Sequence, residues 1–394
     1  MKVLFISAGD YKYGAPKSMF ELMVTLKKKY GVEPVLLTKK KNGLNHKCDL
    51  LGIENYAFWS RDIMAGSAYQ NPIFNMMKHC VKYLLYLWGG ITQKRVERIG
   101  IDFASIDIIH TNLNRNDIGV WISQKHKIPH VWHLRETLTG SAVVMYKPNT
   151  IDYMNKNVSL FIAISHTVYR AWGEKGLDKN KMRVVYNGLN TEEFTVRNRA
   201  DRNSTDKLKI VMTGHVQPTK GQDQLISALG RLTADEKRKL QVDIYGEAYP
   251  DYKKELTKNI HKMQLEDVVN FCGYCDHIPQ KLAEYDIGIV ASRQEGFGRV
   301  TAEYMLAGLL VIASDTGANT ELIEDGKNGL IYPYKDIDDL TARLKLALEA
   351  PEMIDKLGKE ARADATMKYS NARYVQEVYD LYREVLKEKN GCKA

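Results

Sequence analysis

The chain has 394 residues, 44% hydrophobic and 27% charged, with a net charge of +9. That length and mixture exclude a disordered or fibrous chain and fit two ordinary globular domains. No apolar run reaches the roughly 20 residues of a membrane span, and five cysteines form no even framework, so reduced thiols in a cytosolic protein are expected.

Charge is unevenly placed. Residues 1–197 carry 28 Lys and Arg against 16 Asp and Glu; the remainder carries 29 against 32. The front half therefore favours an anionic partner, either nucleic acid or an anionic membrane surface.

Residues 3–7 read as a buried first strand, with an apolar run too short for a signal peptide. A glycine-bearing loop, Gly9 to Lys17, follows it and leads into a helix over 17–29 and a strand over 34–38. Residues 73–98 then mix aromatics and large aliphatics with Lys78, His79, Lys82, Lys94, Arg95 and Arg98. That mixture along one helix fits insertion into a membrane interface; the alternative is a core helix with solvated lysines. Strands are expected at 106–110, 130–133 and 160–164. Two of them end on histidines, His110 and His133, and Arg135 and Glu136 follow the second. Strand ends in an α/β sheet are where ligands gather. Asn187-Gly188 reads as a turn.

A polar stretch over 197–206 reads as a linker, after which the strand–helix alternation restarts. Strands are expected at 208–213, 241–245, 267–271, 287–291 and 310–313, with a helix over 221–232. The Cys272-Gly273-Tyr274-Cys275 spacing is half of a zinc site, but no second pair or His cluster accompanies it, and no metal is expected. The last helix, over 371–387, is amphipathic and must pack on something. We divide the chain into a first domain at 1–197, a second domain at 207–370 and a terminal helix at 371–394 that packs back on the first.

The most informative segment is Glu295-Gly296-Phe297-Gly298-Arg299-Val300-Thr301-Ala302-Glu303. A two-glycine loop runs into a helix whose first N–H groups are unpaired and carry a partial positive charge, which suits phosphate. The flanking carboxylates repel phosphate and suit sugar hydroxyls. One corner serving both points to a nucleotide sugar. Upstream, Gly214-His215-Val216-Gln217-Pro218-Thr219-Lys220-Gly221 ends one strand and opens a helix.

These two motifs resemble those of retaining glycosyltransferases of family 4, which have the GT-B fold. The resemblance covers nearly the whole chain and is densest over 208–332. Glu295 and Glu303 match the family's glutamate pair in register. The resemblance implies an α/β architecture of two facing Rossmann-like, doubly wound parallel-sheet domains with a cleft between them. It implies a retaining sugar transfer from a nucleotide diphosphate donor, UDP by preference, to a saccharide or lipid-linked acceptor in cell-surface polysaccharide synthesis.

By that resemblance, Glu295, Lys220 and His133 carry the reaction. Glu295 holds the donor sugar and Glu303 the ribose, and the backbone of Phe297, Gly298, Arg299 and Val300 cradles the diphosphate. Tyr274 stands where the family contacts the base, Gly14 and Ala15 where its glycine loop closes over the diphosphate, and Glu321 also matches a family position. His215 stands where the family has an arginine. Arg135 and His110 are assigned to the acceptor. No obligatory cofactor or metal is implied, since Lys220 can neutralise the leaving group. The expected site of action is cytoplasmic, peripheral on the inner membrane face, with no nucleic-acid partner. The alternatives are a nucleotide-sugar epimerase of the same architecture and a non-catalytic sugar or nucleic-acid binding protein.

Overall fold

The computed structural model describes residues 1–11, 14–66, 72–113, 115–138, 143–196 and 207–391. The expected linker over 197–206 lies outside them. The chain divides into two units, Met1–Gly188 with Asn371–Ala394, and Leu189–Ser370.

Unit 1 contains strands β1 (Lys2–Ser7), β2 (Glu33–Thr38), β3 (Glu54–Ala57), β4 (Met64–Gly66), β5 (Ile108–Asn112), β6 (His130–Leu134), β7 (Val143–Met145), β8 (Leu160–Ala163) and β9 (Met182–Val184). Seven form a parallel sheet in the order β3-β2-β1-β5-β6-β8-β9, while β4 and β7 pair antiparallel by themselves. Side chains alternate across the pleat. Val3 and Phe5 face one apolar core, and Leu4 and Ile6 face the other. A parallel sheet buried on both faces needs such near-continuous apolar strands, because crossover helices cover both sides.

The helix Asn371–Gly391 belongs to unit 1. Tyr374, Val375, Val378, Tyr382 and Val385 are buried in the same core as β1 and β2, and Tyr379 stacks on Tyr30 with centroids 4.1 Å apart. The chain leaves unit 1 at Gly188 and re-enters at Asn371. A Cβ at Gly188 would lie 2.7 Å from the Asn371 Cα and 2.8 Å from the Tyr374 Cβ, so only glycine lets the two crossings pass this closely.

Unit 2 contains β10 (Leu208–Thr213), β11 (Leu240–Tyr245), β12 (Val269–Gly273), β13 (Ile287–Val290), β14 (Leu310–Ser314) and β15 (Leu330–Tyr332). They form one parallel sheet in the order β12-β11-β10-β13-β14-β15. This is the 3-2-1-4-5-6 Rossmann order, which reverses direction between β10 and β13 and binds ligands beyond the strand ends there. Both units are doubly wound, and the architecture is GT-B. The sequence reading located most of these strands to within one or two residues; β3, β4, β7, β9 and β15 were not anticipated. Among the described residues no helix is long and apolar enough to cross a membrane.

Candidate active site

The site in unit 2 is built by two loops beyond the ends of β10 and β13. After Thr213 the chain turns through Gly214 at φ 124°. It passes a 3-10 turn, Pro218–Lys220, and enters the helix Gln222–Gly230 through Gly221 at φ 75°. A Cβ at Gly221 would sit 2.1 Å from the Ala291 carbonyl oxygen. That contact is the point of the glycine. It lets the first loop lie on the second, where the Arg293 N–H donates to the Thr219 carbonyl at 2.9 Å and the Gln224 amide donates to the Ala291 carbonyl at 3.0 Å.

The second loop is clamped from its other side. The hydroxyls of Ser314 and Thr316 both donate to the Ser292 carbonyl, at 3.0 and 2.6 Å. The Ala318 N–H donates to the Glu295 carbonyl at 3.0 Å. Gly317, at φ 59°, leaves so little room that a Cβ there would lie 2.2 Å from the Glu295 carbonyl oxygen. Glu295 is thus held by backbone contacts on both flanks.

This clamping brings Lys220 and Glu295 together, Nζ to Oε1 at 2.7 Å, with both side chains mostly buried. Gly298, at φ 81°, starts the helix Arg299–Leu306. One turn on, the Arg299 Nε donates to the Glu303 Oε1 at 2.9 Å. The site's two cations and two carboxylates therefore neutralise one another pairwise. A small pocket lies beside them, lined by Thr213, Lys220, Ser292, Glu295 and Val300 among others.

The helix itself is anchored from below. Tyr304 is buried, accepts from the Thr213 N–H at 2.6 Å and donates to its hydroxyl at 3.0 Å. Gly288 in β13 makes the space for that ring. Thr301 donates to Asn319, which in turn donates to the Ser314 carbonyl. The sequence reading used only the backbone of Arg299; the structure adds its guanidinium, a pairing that the four-residue spacing to Glu303 already signals. Gly317, Asn319 and Tyr304 were likewise missed, being neutral residues that act through shape and hydrogen bonding.

The remaining unit 2 candidates are placed differently. Phe297 is buried edge-on against Tyr369, centroids 5.6 Å apart, so its side chain anchors the loop. His215 is exposed, and its carbonyl accepts from Gln222. Tyr274 is exposed just past the end of β12, and the neighbouring Asp276 carboxylate raises the pKa of its hydroxyl.

In unit 1 the strand-end expectation meets a different environment. His110 and His133 are fully buried and Arg135 nearly so. The His133 Nδ1 faces the His110 Nε2 at 3.2 Å, and the Tyr382 hydroxyl lies 2.6 Å from the His110 Nδ1. Arg135 donates to Asn112, to Asn187 at 2.7 Å and to the Tyr374 hydroxyl at 3.3 Å. The C-terminal helix thus covers both histidines. Burial first, and then the Arg135 charge, pushes both imidazoles well below their ordinary range, so they are neutral. Gly14 and Ala15 begin the first turn of the helix Gly14–Tyr30 rather than a free loop, and Pro16 follows in the same turn, where no intrahelical N–H bond is lost. The Ala15 carbonyl accepts from Asn112 at 3.3 Å.

Comparison with known proteins decides the family. The Glycosyltransferase Family 4 pattern matches residues 66–193, and the Glycosyl transferases group 1 pattern matches residues 195–364. The chain belongs to the family-4-type glycosyltransferases. It is 27% identical over 334 residues to the glycosyltransferase MJ1178 of Methanocaldococcus jannaschii, spanning 80% of this chain and 86% of that protein. It is 23% identical over 250 residues to the N-acetyl-alpha-D-glucosaminyl L-malate synthase of Bacillus anthracis, spanning 62% of this chain and 64% of that one. Crystal structures of Anabaena Alr3699/HepE in complex with UDP and with UDP-glucose superpose with TM-scores of 0.78 and 0.74 at 21% and 22% identity. They cover 98% of this chain and 100% of theirs, and so share the fold. This family-4-type glycosyltransferase therefore carries its charged corner at the switch point of its second sheet.

Two predictions follow from the geometry. Gly317→Ala forces a Cβ onto the Glu295 backbone and lowers stability by about 1–3 kcal/mol, measured by urea unfolding. Gly326→Ala is the control: φ is also positive, 75°, but nothing lies within 4 Å, so it carries the backbone strain alone and loses less. The second concerns pH. His110, His130 and His133 are all fully buried, and burial holds His130 at about 3. Their folded pKa values are depressed, so the associated stability is present above the unfolded value near 6.5 and is lost as pH falls below it. Each histidine contributes a slope of about 1.4 kcal/mol per pH unit. Urea unfolding between pH 7.5 and 5 reads this slope, and His130→Gln removes about one third of it.

Proposed function

We propose that this glycosyltransferase moves a hexosyl group from a UDP-sugar to a hydroxyl of a saccharide or lipid-linked acceptor in cell-surface polysaccharide synthesis, retaining the anomeric configuration. The observation that carries this reading is the doubled ion pair, Lys220 with Glu295 and Arg299 with Glu303. A diphosphate at the start of the helix Arg299–Leu306 meets helix N–H donors and competes for both cations. Glu295 and Glu303, once released, accept from hydroxyls of the sugar and the ribose. The charged corner thus exchanges internal ion pairs for ligand pairs, the added diphosphate charge being met by the two cations and the helix N–H donors. The UDP and UDP-glucose complexes of HepE, a protein of the same fold, support the donor class.

As the bond to the anomeric carbon breaks, positive charge grows on the sugar ring and negative charge on the departing diphosphate. Lys220 and the helix N–H groups stabilise the second. Among the described residues the two carboxylates of this corner are each paired with a cation, so the reading does not use the hydrolase scheme of two carboxylates. A front-face path, in which the leaving phosphate oxygen takes the acceptor proton, keeps the configuration. With Lys220 opposing the diphosphate charge, no divalent metal is required. His133, His110 and Arg135, neutral or tied into the buried network, act as positioning groups rather than proton donors. The family matches lend no support to an epimerase or a non-catalytic binding protein.

A thermal-shift screen over nucleotide diphosphate sugars tests the reading, because a bound donor raises stability by mass action. UDP compounds raise the melting temperature, and Glu303→Ala weakens that shift; an unaltered response in the variant removes the ribose assignment. Lys220→Ala lowers kcat by about 10²–10³, and EDTA leaves the wild-type rate unchanged. Product analysis by NMR without an acceptor shows no epimerised donor.

A further inference from the structure

The helix Pro72–Thr92 is turned inside out. Its polar side holds it to unit 1. The His79 Nδ1 lies 2.8 Å from the Tyr146 hydroxyl, and Lys82 pairs with Asp62 at 3.6 Å. Tyr86 is buried under the Arg61 guanidinium, 4.5 Å above its ring, and Arg61 is itself fixed by two bonds to Asp117 at 3.1 and 2.8 Å. Gly89 and Gly90 face Arg61, where a Cβ would lie 2.6 Å from its Cβ and 2.7 Å from its Nη1. Small residues thus sit on the packed side.

The outward side is apolar. Met77, Val81, Leu84, Trp88 and Ile91 recur at spacings of four and three, which place them on one face. All are exposed: Leu84 at 64%, Trp88 at 51% and Ile91 at 71%. Leu87 and further exposed residues widen the face to roughly half the circumference. A water-facing helix buries its apolar face; this one presents it. Contiguous apolar surface of this kind marks an interaction site.

Charge selects the occupant. Between Asp62 and Glu97 the sequence holds no acidic residue. Immediately after the helix, the 3-10 turn Gln93–Arg98 exposes Lys94, Arg95 and Arg98. Glu97 in that turn is paired with Lys125 and His126, so a second copy docking through the same helix would bring mainly like charges to its flanks, whereas paired helices need complementary ones. The face is also wider than a two-helix seam. We infer that this helix lies in the plane of an anionic lipid bilayer, its apolar face among the acyl chains and its flanking cations at the headgroups. Because it cannot span, it docks the protein from one side. The inference stands independently of which donor or acceptor the enzyme uses.

Co-sedimentation tests it. Vesicles of phosphatidylcholine alone are compared with vesicles containing about a third phosphatidylglycerol, using the full chain and the variant Leu84→Glu/Ile91→Glu. The wild type pellets with the anionic vesicles about tenfold more strongly than with the neutral ones, and added salt weakens it. The variant keeps its circular-dichroism melting curve and loses vesicle binding. Equal binding by wild type and variant overturns the assignment. So does a wild-type dimer by light scattering that the variant converts to monomer, since the face then belongs to a second copy.

Discussion

The Lys220–Glu295 ion pair is the contact on which the charged corner of unit 2 depends. It joins two residues 75 positions apart, and nothing in either loop alone would place it. Gly221 allows the first loop to lie on the second, and Gly317 lets a third segment press on the Glu295 backbone. Both glycines use left-handed backbone that other residues adopt only with strain. The strain-free packing of three loops is therefore the origin of the charge geometry. A partly buried ion pair adds little net stability by itself; in the function we propose, its value is to hold a cation and an acid where one ligand can part them.

Each unit places its polar residues at the carboxyl ends of its strands, as the doubly wound order requires, but the two units use those ends differently. In unit 2 the ends carry loops, and charge reaches solvent-accessible positions. In unit 1 the ends of β5 and β6 are covered by the helix Asn371–Gly391, which buries Tyr374 and Tyr382 there. Unit 1 is thus completed only by a helix that follows the whole of unit 2 in the chain. The network of His110, His133 and Arg135 then ties that helix to the sheet.

Most of this architecture can be read from the amino-acid order. Long apolar strands such as β1, β10 and β14 stand out, and so do the glycine–acid pattern around Glu295 and the lysine before Gly221. Strands β9 and β15 have three residues each, and β3 is the polar run Glu54-Asn55-Tyr56-Ala57. Such short pieces gain their identity from neighbours in the sheet, so periodicity cannot show them. His110 and His133 illustrate the opposite case. Their strand-end positions were legible, but a helix more than 200 residues further on decides whether those ends meet a ligand or a core. The helix Pro72–Thr92 shows a third limit, since its mixed composition was visible while the choice of which side faces the protein rests on Arg61, Asp62 and Tyr146, all outside it.

The central claim is that the donor diphosphate and Glu295 compete for Lys220. Calorimetric titration of UDP into Glu295→Gln tests it most directly, because UDP lacks the sugar that Glu295 would hold. If the claim is right, removing the carboxylate charge frees Lys220, and UDP binds more tightly than to the wild type, by about three- to tenfold, while transfer from a UDP-sugar falls. Equal or weaker UDP binding by Glu295→Gln would contradict it.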